Sequence, residues 1–275
     1  MSGLSPSELI LIAGILAVMS VVAGILAGLL GVGGGIVLVP VLFWILSLTD
    51  FPSEIAMHMA VATSLATICF TSVSSARAHH KRGAVDKGLL RLWGPWIAAG
   101  ALLGGLASRL FEADGLKAVF GGLALLVAIN MAVPKTLVIS EAMPRSRAVN
   151  AGLSLVTGFL SALMGIGGGT LSVPLLSAFS VKTRRAVGTA AAFGFLIAVP
   201  AVIGFVVAGW NVPDRPPLSL GYVNLVAAAI ILPFTVGFAP LGSRLAHAVD
   251  TKLLRRLFAL FLAITAVRML LEVLG

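Results

Sequence analysis

Gly31-Val32-Gly33-Gly34-Gly35 interrupts a long apolar stretch, and Gly165-Ile166-Gly167-Gly168-Gly169 does so again 134 residues later. Each cluster is followed at the same distance by a Val-Pro pair, Val39-Pro40 and Val173-Pro174. Glycine admits left-handed backbone and lets two chains approach closely, so a run of glycines ends one helix and allows another to start in a new direction. A hydrophobic segment broken in this way once in each half of a chain is the sequence trace of an internally repeated membrane transporter, and it marks where the solute site lies.

The surroundings agree. The chain has 275 residues, 59% hydrophobic and 11% charged, with a mean hydropathy of +1.10. A soluble domain carries about 25% charged residues, so the partner of this surface is the lipid bilayer. The net charge of +9 comes from basic residues in short loops between apolar runs, with no basic patch interleaved with aromatics. That pattern speaks for membrane orientation and against nucleic acid. The single cysteine, Cys69, lies in an apolar run, which excludes an internal disulfide and reads as a small buried hydrophobe. No Lys or Arg precedes the first apolar stretch and Glu8 is acidic, so residues 7–29 are expected to form a retained helix, not a signal peptide.

Apolar runs fall at 7–29, 36–48, 54–76, 88–110 and 117–134, then at 147–164, 169–180, 184–209, 219–243 and 252–274. Crossing a bilayer takes about 20 helical residues. The runs at 36–48 and 169–180 are shorter and each follows a glycine cluster, which predicts half-helices whose freed backbone is covered by protein or a cavity. The expected fold is an all-α polytopic membrane protein made of two repeats, residues 1–134 and 147–275, joined by a linker at 135–146. Smaller matches support the duplication: Ala60-Val-Ala-Thr63 with Ala186-Val-Gly-Thr189, and Ser108-Arg-Leu110 with Ser243-Arg-Leu245.

Loop charge sets the expected orientation. The segments 77–91, 135–147, 182–185 and 244–256 hold 15 of the 19 Lys and Arg residues, which the positive-inside rule makes cytoplasmic. The loop at 49–54 then comes out external while its repeat partner at 182–185 is internal, and 77–91 is internal while 211–217 is external. The repeats are therefore expected to be inverted, with both chain ends periplasmic. Whether each glycine-linked pair spans fully or re-enters stays open at this level.

Four groups bear on chemistry. The amides of Gly33, Gly34, Gly35, Gly167, Gly168 and Gly169 are the expected anion donors, because a helix starting there offers unpaired N–H groups and a partial positive charge. Gly31, Pro40, Gly165 and Pro174 are the expected hinges of the short helices. Tight helix packing, as at Gly24-xxx-Gly28 and Gly100-xxx-Gly104, is the plainer use of glycine. A polar stripe of Thr63, Thr67, Thr71 and Ser74 runs along one helix face, with Ser64 and Ser75 beside it. Thr63 and its counterpart Thr189 are the expected hydroxyl donors to the solute; interhelical bonding is the competing use. Arg77, His79 and His80 are expected in a solvated loop, and His58 in a structural role. All ten acids fall in loops or near helix ends, so no mid-membrane carboxylate of the kind proton-driven pumps keep is evident. No metal, nucleotide or hydrolase motif is evident, so no cofactor and no enzyme activity are expected.

Together, the doubled Gly-x-Gly-Gly-Gly…Val-Pro, the paired Ala-Val-x-Thr and Arg82-Gly-Ala-Val-Asp86 resemble the TauE/SafE sulfite exporter family. The resemblance covers nearly the whole chain. It implies a bacterial inner-membrane carrier for sulfite, an organosulfonate or a related small anion. The expected mechanism is export by alternating access at a mid-membrane site. An anion channel and a non-transporting membrane scaffold remain as alternatives. An interior-negative potential drives anions outward with about 2.3 kcal/mol per charge per 100 mV, so uniport is the expected energetic mode.

Overall fold

A computed structural model describes residues 5–48, 52–132, 138–213, 215–248 and 252–274. Among the described residues there are ten α-helices: α1 (Pro6–Leu30), α2 (Gly35–Ser47), α3 (Ser53–His80), α4 (Lys87–Ala107), α5 (Ala113–Ala132), α6 (Arg147–Leu163), α7 (Gly169–Ala178), α8 (Thr183–Ala208), α9 (Leu225–Ala248) and α10 (Lys252–Leu274). Among the described residues, seven helices are long and apolar enough to cross a membrane, while α2, α6 and α7 are shorter. The fold is therefore all-α and polytopic, as expected. The two shortest helices, α2 with 13 residues and α7 with 10, follow the two glycine clusters. At 1.5 Å per residue they reach only about 20 and 15 Å, roughly half to two-thirds of a hydrocarbon core.

One stretch departs from the sequence reading. Residues 219–224, expected to open a helix, form a short antiparallel hairpin of β1 (Ser219–Leu220) and β2 (Val223–Asn224). Gly221 turns it with φ +56°, a conformation that suits glycine. The apolar composition of this run hid its turn. Asp50, Pro134, Lys135, Asp214 and Asp250, which figured in the loop and linker reading, lie outside the described residues.

Packing follows a paired scheme. α1 lies against α9, and α6 lies against α4. Both contacts are closed by small residues. Gly24 and Gly28 admit the backbone of α9 at Thr235 and Ala239, and Gly100 and Gly104 admit that of α6 at Leu155 and Phe159. Without Cβ atoms the backbones approach closely enough for dispersion to hold them where lipid offers no hydrophobic drive. α3 packs on α8 at the centre, α3 also touches α9 as α8 touches α4, and α5 pairs with α10. α2 rests on α3, and α7 on α8. Every one of these contacts has a counterpart in the other half of the chain.

Arg77, Lys81, Arg82 and Arg244 line one cleft, Arg184 Nη2 donates to the Arg82 carbonyl at 3.2 Å, and Arg185 pairs with Asp86 at 3.6 Å. These residues define a basic end of the molecule. Toward the other end, Lys117 of α5 and Arg268 of α10 lie over Phe43 and Trp44 at the close of α2, 5.5 and 4.6 Å from the ring centres.

Candidate functional site

The two glycine turns meet. Gly31 caps α1 in the left-handed region (φ +70°) and donates to Ala27 O at 3.0 Å; Gly165 ends α6 in the same way (φ +68°), donating to Ala162 O at 3.0 Å. Beyond these caps the chains cross, and Gly167 N donates to Val32 O at 3.1 Å. A Cβ on Gly33 would lie 3.2 Å from the Gly167 Cα, and one on Gly167 would lie 3.0 Å from the Gly33 Cα. A Cβ on Gly169 would run into the Gly31 carbonyl, and one on Gly35 into the Gly165 carbonyl. Ser64 of α3 ties the crossing down by donating to Gly165 O at 2.8 Å. The glycines sought as donors thus come together, and close backbone contact explains why no larger residue stands there.

Beside the crossing is a cavity of about 450 Å³, within the range of about 300–1,000 Å³ usual for small-molecule sites. Val32 and Ile36 form one wall, Gly169, Thr170, Pro174 and Ser177 of α7 another, and Arg184, His79 and Asn130 stand around the rest. Among the described residues, no carboxylate lines it.

The start of α7 and Arg184 both bring positive charge to the cavity. Ser172 N bonds to Gly168 O at 3.0 Å; the amides ahead of it begin α7 and have no acceptor within the helix, so they carry the partial positive charge of its N-terminus. The Thr170 hydroxyl is buried beside them and makes no hydrogen bond among the described residues. An orphaned buried hydroxyl costs about 1–3 kcal/mol, a cost that a bound acceptor would remove. Arg184 adds a full charge and is positioned by its bond to Arg82 O. Pro174 cannot donate, which also frees the Thr170 carbonyl one turn earlier; Pro40 does the same for Ile36.

Other expected residues stand elsewhere. Gly33, Gly35 and Gly167 are in the crossing, Gly34 packs on Ala23 and Gly168 on Ala190 and Phe193; of the six expected donors, Gly169 is the one among the cavity's lining residues. Thr63 and Thr189 are buried and share a different task. Thr63 Oγ1 accepts from Asn224 N at 2.9 Å, and Thr189 Oγ1 accepts from Asp86 N at 2.9 Å. Asp86 in turn accepts from Gly88 N and Leu89 N at the start of α4, and Asn224 Oδ1 accepts from Ala227 N at the start of α9. Each threonine therefore holds the residue that begins a helix. The rest of the stripe also bonds between or along helices: Thr71 meets Thr235 at 2.9 Å, Ser74 donates to Val236 O at 2.9 Å, and Ser75 donates to Ala27 O at 3.2 Å.

His79 is not in a solvated loop. It is buried in the last turn of α3, and its Nε2 donates to Gly28 O at 2.7 Å. His58 donates through Nε2 to the carbonyls of Ser108 and Phe111 at 3.2 and 3.1 Å and stacks on Tyr222, the structural role expected of it. Thr170 and Ser177 escaped the sequence reading. Their signal was available: α7 carries Thr170, Ser172 and Ser177 where α2 has Ile36, Leu38 and Phe43.

Comparison with known proteins agrees with this architecture. A family profile described as sulfite exporter TauE/SafE matches residues 16–269. A probable membrane transporter protein of Haemophilus influenzae is 33% identical over 252 residues, covering 91% of this chain and 95% of that protein. Probable membrane transporter proteins of Bacillus subtilis (YunE) and Methanocaldococcus jannaschii (MJ0441) are each 26% identical, covering 94% and 96% of this chain and 97% of each relative. No solved structure matches the chain at a significant level.

Proposed function

The chain belongs to the sulfite exporter TauE/SafE family, a family of membrane transporters, and on that premise we propose that it carries a small anion, sulfite or an organosulfonate, out of a bacterial cell across the inner membrane. One observation carries this reading: a cavity with no carboxylate among its described lining residues brings together the N-terminus of α7, the orphaned Thr170 hydroxyl and Arg184. Amide and hydroxyl donors grouped at one cavity, with a cation nearby, suit an oxyanion.

The proposed donors are Gly169, Thr170 and Arg184. Thr63 and Thr189 are positioning residues that fix the starts of α4 and α9. The two halves, 1–134 and 147–275 with the linker at 135–146, are taken as inverted repeats, a reading supported by the matched packing of α1 on α9 with α6 on α4. With the basic end cytoplasmic and both chain ends periplasmic, the cavity faces inward. α2 is buried from Gly35 through Phe43, so protein fills the far side, which favours a carrier over an open channel. In the outward-facing state the repeats exchange roles, and the N-terminus of α2 takes the exposed position.

Binding is tested by the melting temperature of the purified protein with sulfite, sulfate, thiosulfate, sulfoacetate or a carboxylate. A rise with sulfite or a sulfonate, absent for the carboxylate, is the expected result; no rise with any anion defeats the proposal. Liposomes with a clamped potential and no pH gradient test the energetics, since uniport requires flux under these conditions. Flux that follows the pH gradient alone defeats uniport.

A further inference from the structure

A second and larger cleft, of about 1090 Å³, lies between α3, α8 and α9 and takes no part in the site above. Its lower walls are apolar: Phe70 and Val73 of α3, Phe195 and Val199 of α8, Leu232 and Val236 of α9. Phe70 and Phe195 are exposed. Its upper rim holds Arg77, Lys81, Arg82 and Arg244 and, among the described residues, no acid. Arg82 is held in place by bonds to Ala78 O at 2.8 Å and Ser243 Oγ at 3.1 Å. None of the four cations pairs with a carboxylate among the described residues.

We propose that this cleft binds an anionic phospholipid from the leaflet at the basic end of the molecule. Two features select that occupant. Charge is the first: four cations on the rim, none paired with a carboxylate among the described residues, fit a phosphodiester headgroup, and basic pockets between helices on this side of membrane proteins bind such headgroups. Length is the second. From Phe70 to Lys81 the helix rises about 16 Å, close to the roughly 15 Å depth of one leaflet's hydrocarbon. The rim therefore sits at headgroup level when the apolar walls lie beside acyl chains. A free anion would use the rim and leave the apolar walls idle. A zwitterionic lipid would use the walls and gain little from the rim.

The test uses the full chain, purified in detergent and stripped of lipid, then given phosphatidylglycerol, phosphatidylcholine or soluble glycerol phosphate in turn. Native mass spectrometry counts retained lipid, and the melting temperature reports its effect. Phosphatidylglycerol is expected to be retained roughly tenfold or more over phosphatidylcholine and to raise the melting temperature. The triple variant R77Q/K81Q/R244Q is expected to lose that preference. Val199→Trp, which fills the cleft and leaves its charge intact, is expected to lose retention as well; it keeps the proposal testable if the triple variant fails to fold. Equal retention of the two lipids overturns the proposal. Equal stabilisation by glycerol phosphate also overturns it and makes the rim a vestibule for soluble anions. Neither result bears on whether sulfite or a sulfonate stabilises the protein through the α7 cavity.

Discussion

The two glycine turns share the order of helix, break and short helix, and differ in backbone and in how deeply the short helix is buried. The first uses three left-handed glycines, Gly31, Gly33 and Gly34, and leads into a helix buried through Phe43. The second uses one, Gly165, and leads into a helix whose N-terminus faces a cavity. The side chains after the turn make the difference. Ile36, Leu38 and Phe43 pack against α3 and its neighbours, whereas Thr170, Ser172 and Ser177 present hydroxyls. Matching breaks thus put α2 in the packed interior and the N-terminus of α7 at the proposed binding site. In a carrier that alternates between two states, this is the asymmetry of a single state.

The comparison breaks first at the crossing itself. Gly33→Val combines a left-handed φ of +73° with a Cβ 2.9 Å from Ile68 Cγ2. It is expected to abolish folded protein on size exclusion, while Gly122→Ala, where a Cβ meets nothing within 4 Å, leaves the yield intact. Folded Gly33→Val with wild-type melting would mean that the turns do not depend on contact.

The next largest effect is on binding. Arg184→Gln removes the cavity's full charge and is expected to weaken anion affinity about tenfold, allowing for the exposure of this side chain. Titration of the melting shift measures it; unchanged affinity removes Arg184 from the site. Thr170→Val keeps the shape and deletes the orphaned hydroxyl. Affinity is expected to fall about two- to tenfold while the anion-free protein becomes no less stable. A fall in both would show that the hydroxyl has a structural partner.

A smaller effect separates positioning from binding. Thr63→Val and Thr189→Val each strip a buried acceptor from a backbone amide and are expected to cost about 1–3 kcal/mol, with the anion-dependent melting shift preserved. Loss of that shift would restore both threonines as solute donors.

The smallest effect distinguishes the two helix starts they hold. Asp86 is flanked by Arg185, but Asn224 lies in the hairpin beside Tyr222. Burial raises the Tyr222 hydroxyl above its usual pKa of 10.0, and Arg215 partly opposes the rise. A raised folded-state pKa means stability that is complete below pH 10 and is lost as pH climbs through the folded value. Melting measured between pH 9 and 11 is expected to show this loss and Tyr222→Phe to remove it. A loss of the same size in Tyr222→Phe assigns the effect elsewhere.

Much of this was legible in the residues. The glycine clusters, the two short helices and the packing role of Gly24, Gly28, Gly100 and Gly104 follow from local rules of backbone freedom and helix length. The hairpin at 219–224 was not legible, because alternating and continuous apolar runs look alike over six residues. Thr63 and Thr189 stood out as a repeated pair, but a repeated hydroxyl reads the same whether it serves a solute or a helix start. His79 was misplaced because its charge type suggested a loop, while its bond to Gly28 O lies 51 residues away along the chain.

Hydropathy and glycine spacing alone determined that this protein lives in a bilayer and breaks twice, because burial in lipid and left-handed backbone are properties of single residues and their near neighbours. Only the tertiary structure decided that the breaks cross at Gly33 and Gly167, and that α7 opens onto Arg184 while α2 is buried through Phe43. The crossing rests on contacts between elements more than a hundred residues apart, and the rest on packing of the whole bundle, which no local pattern sets.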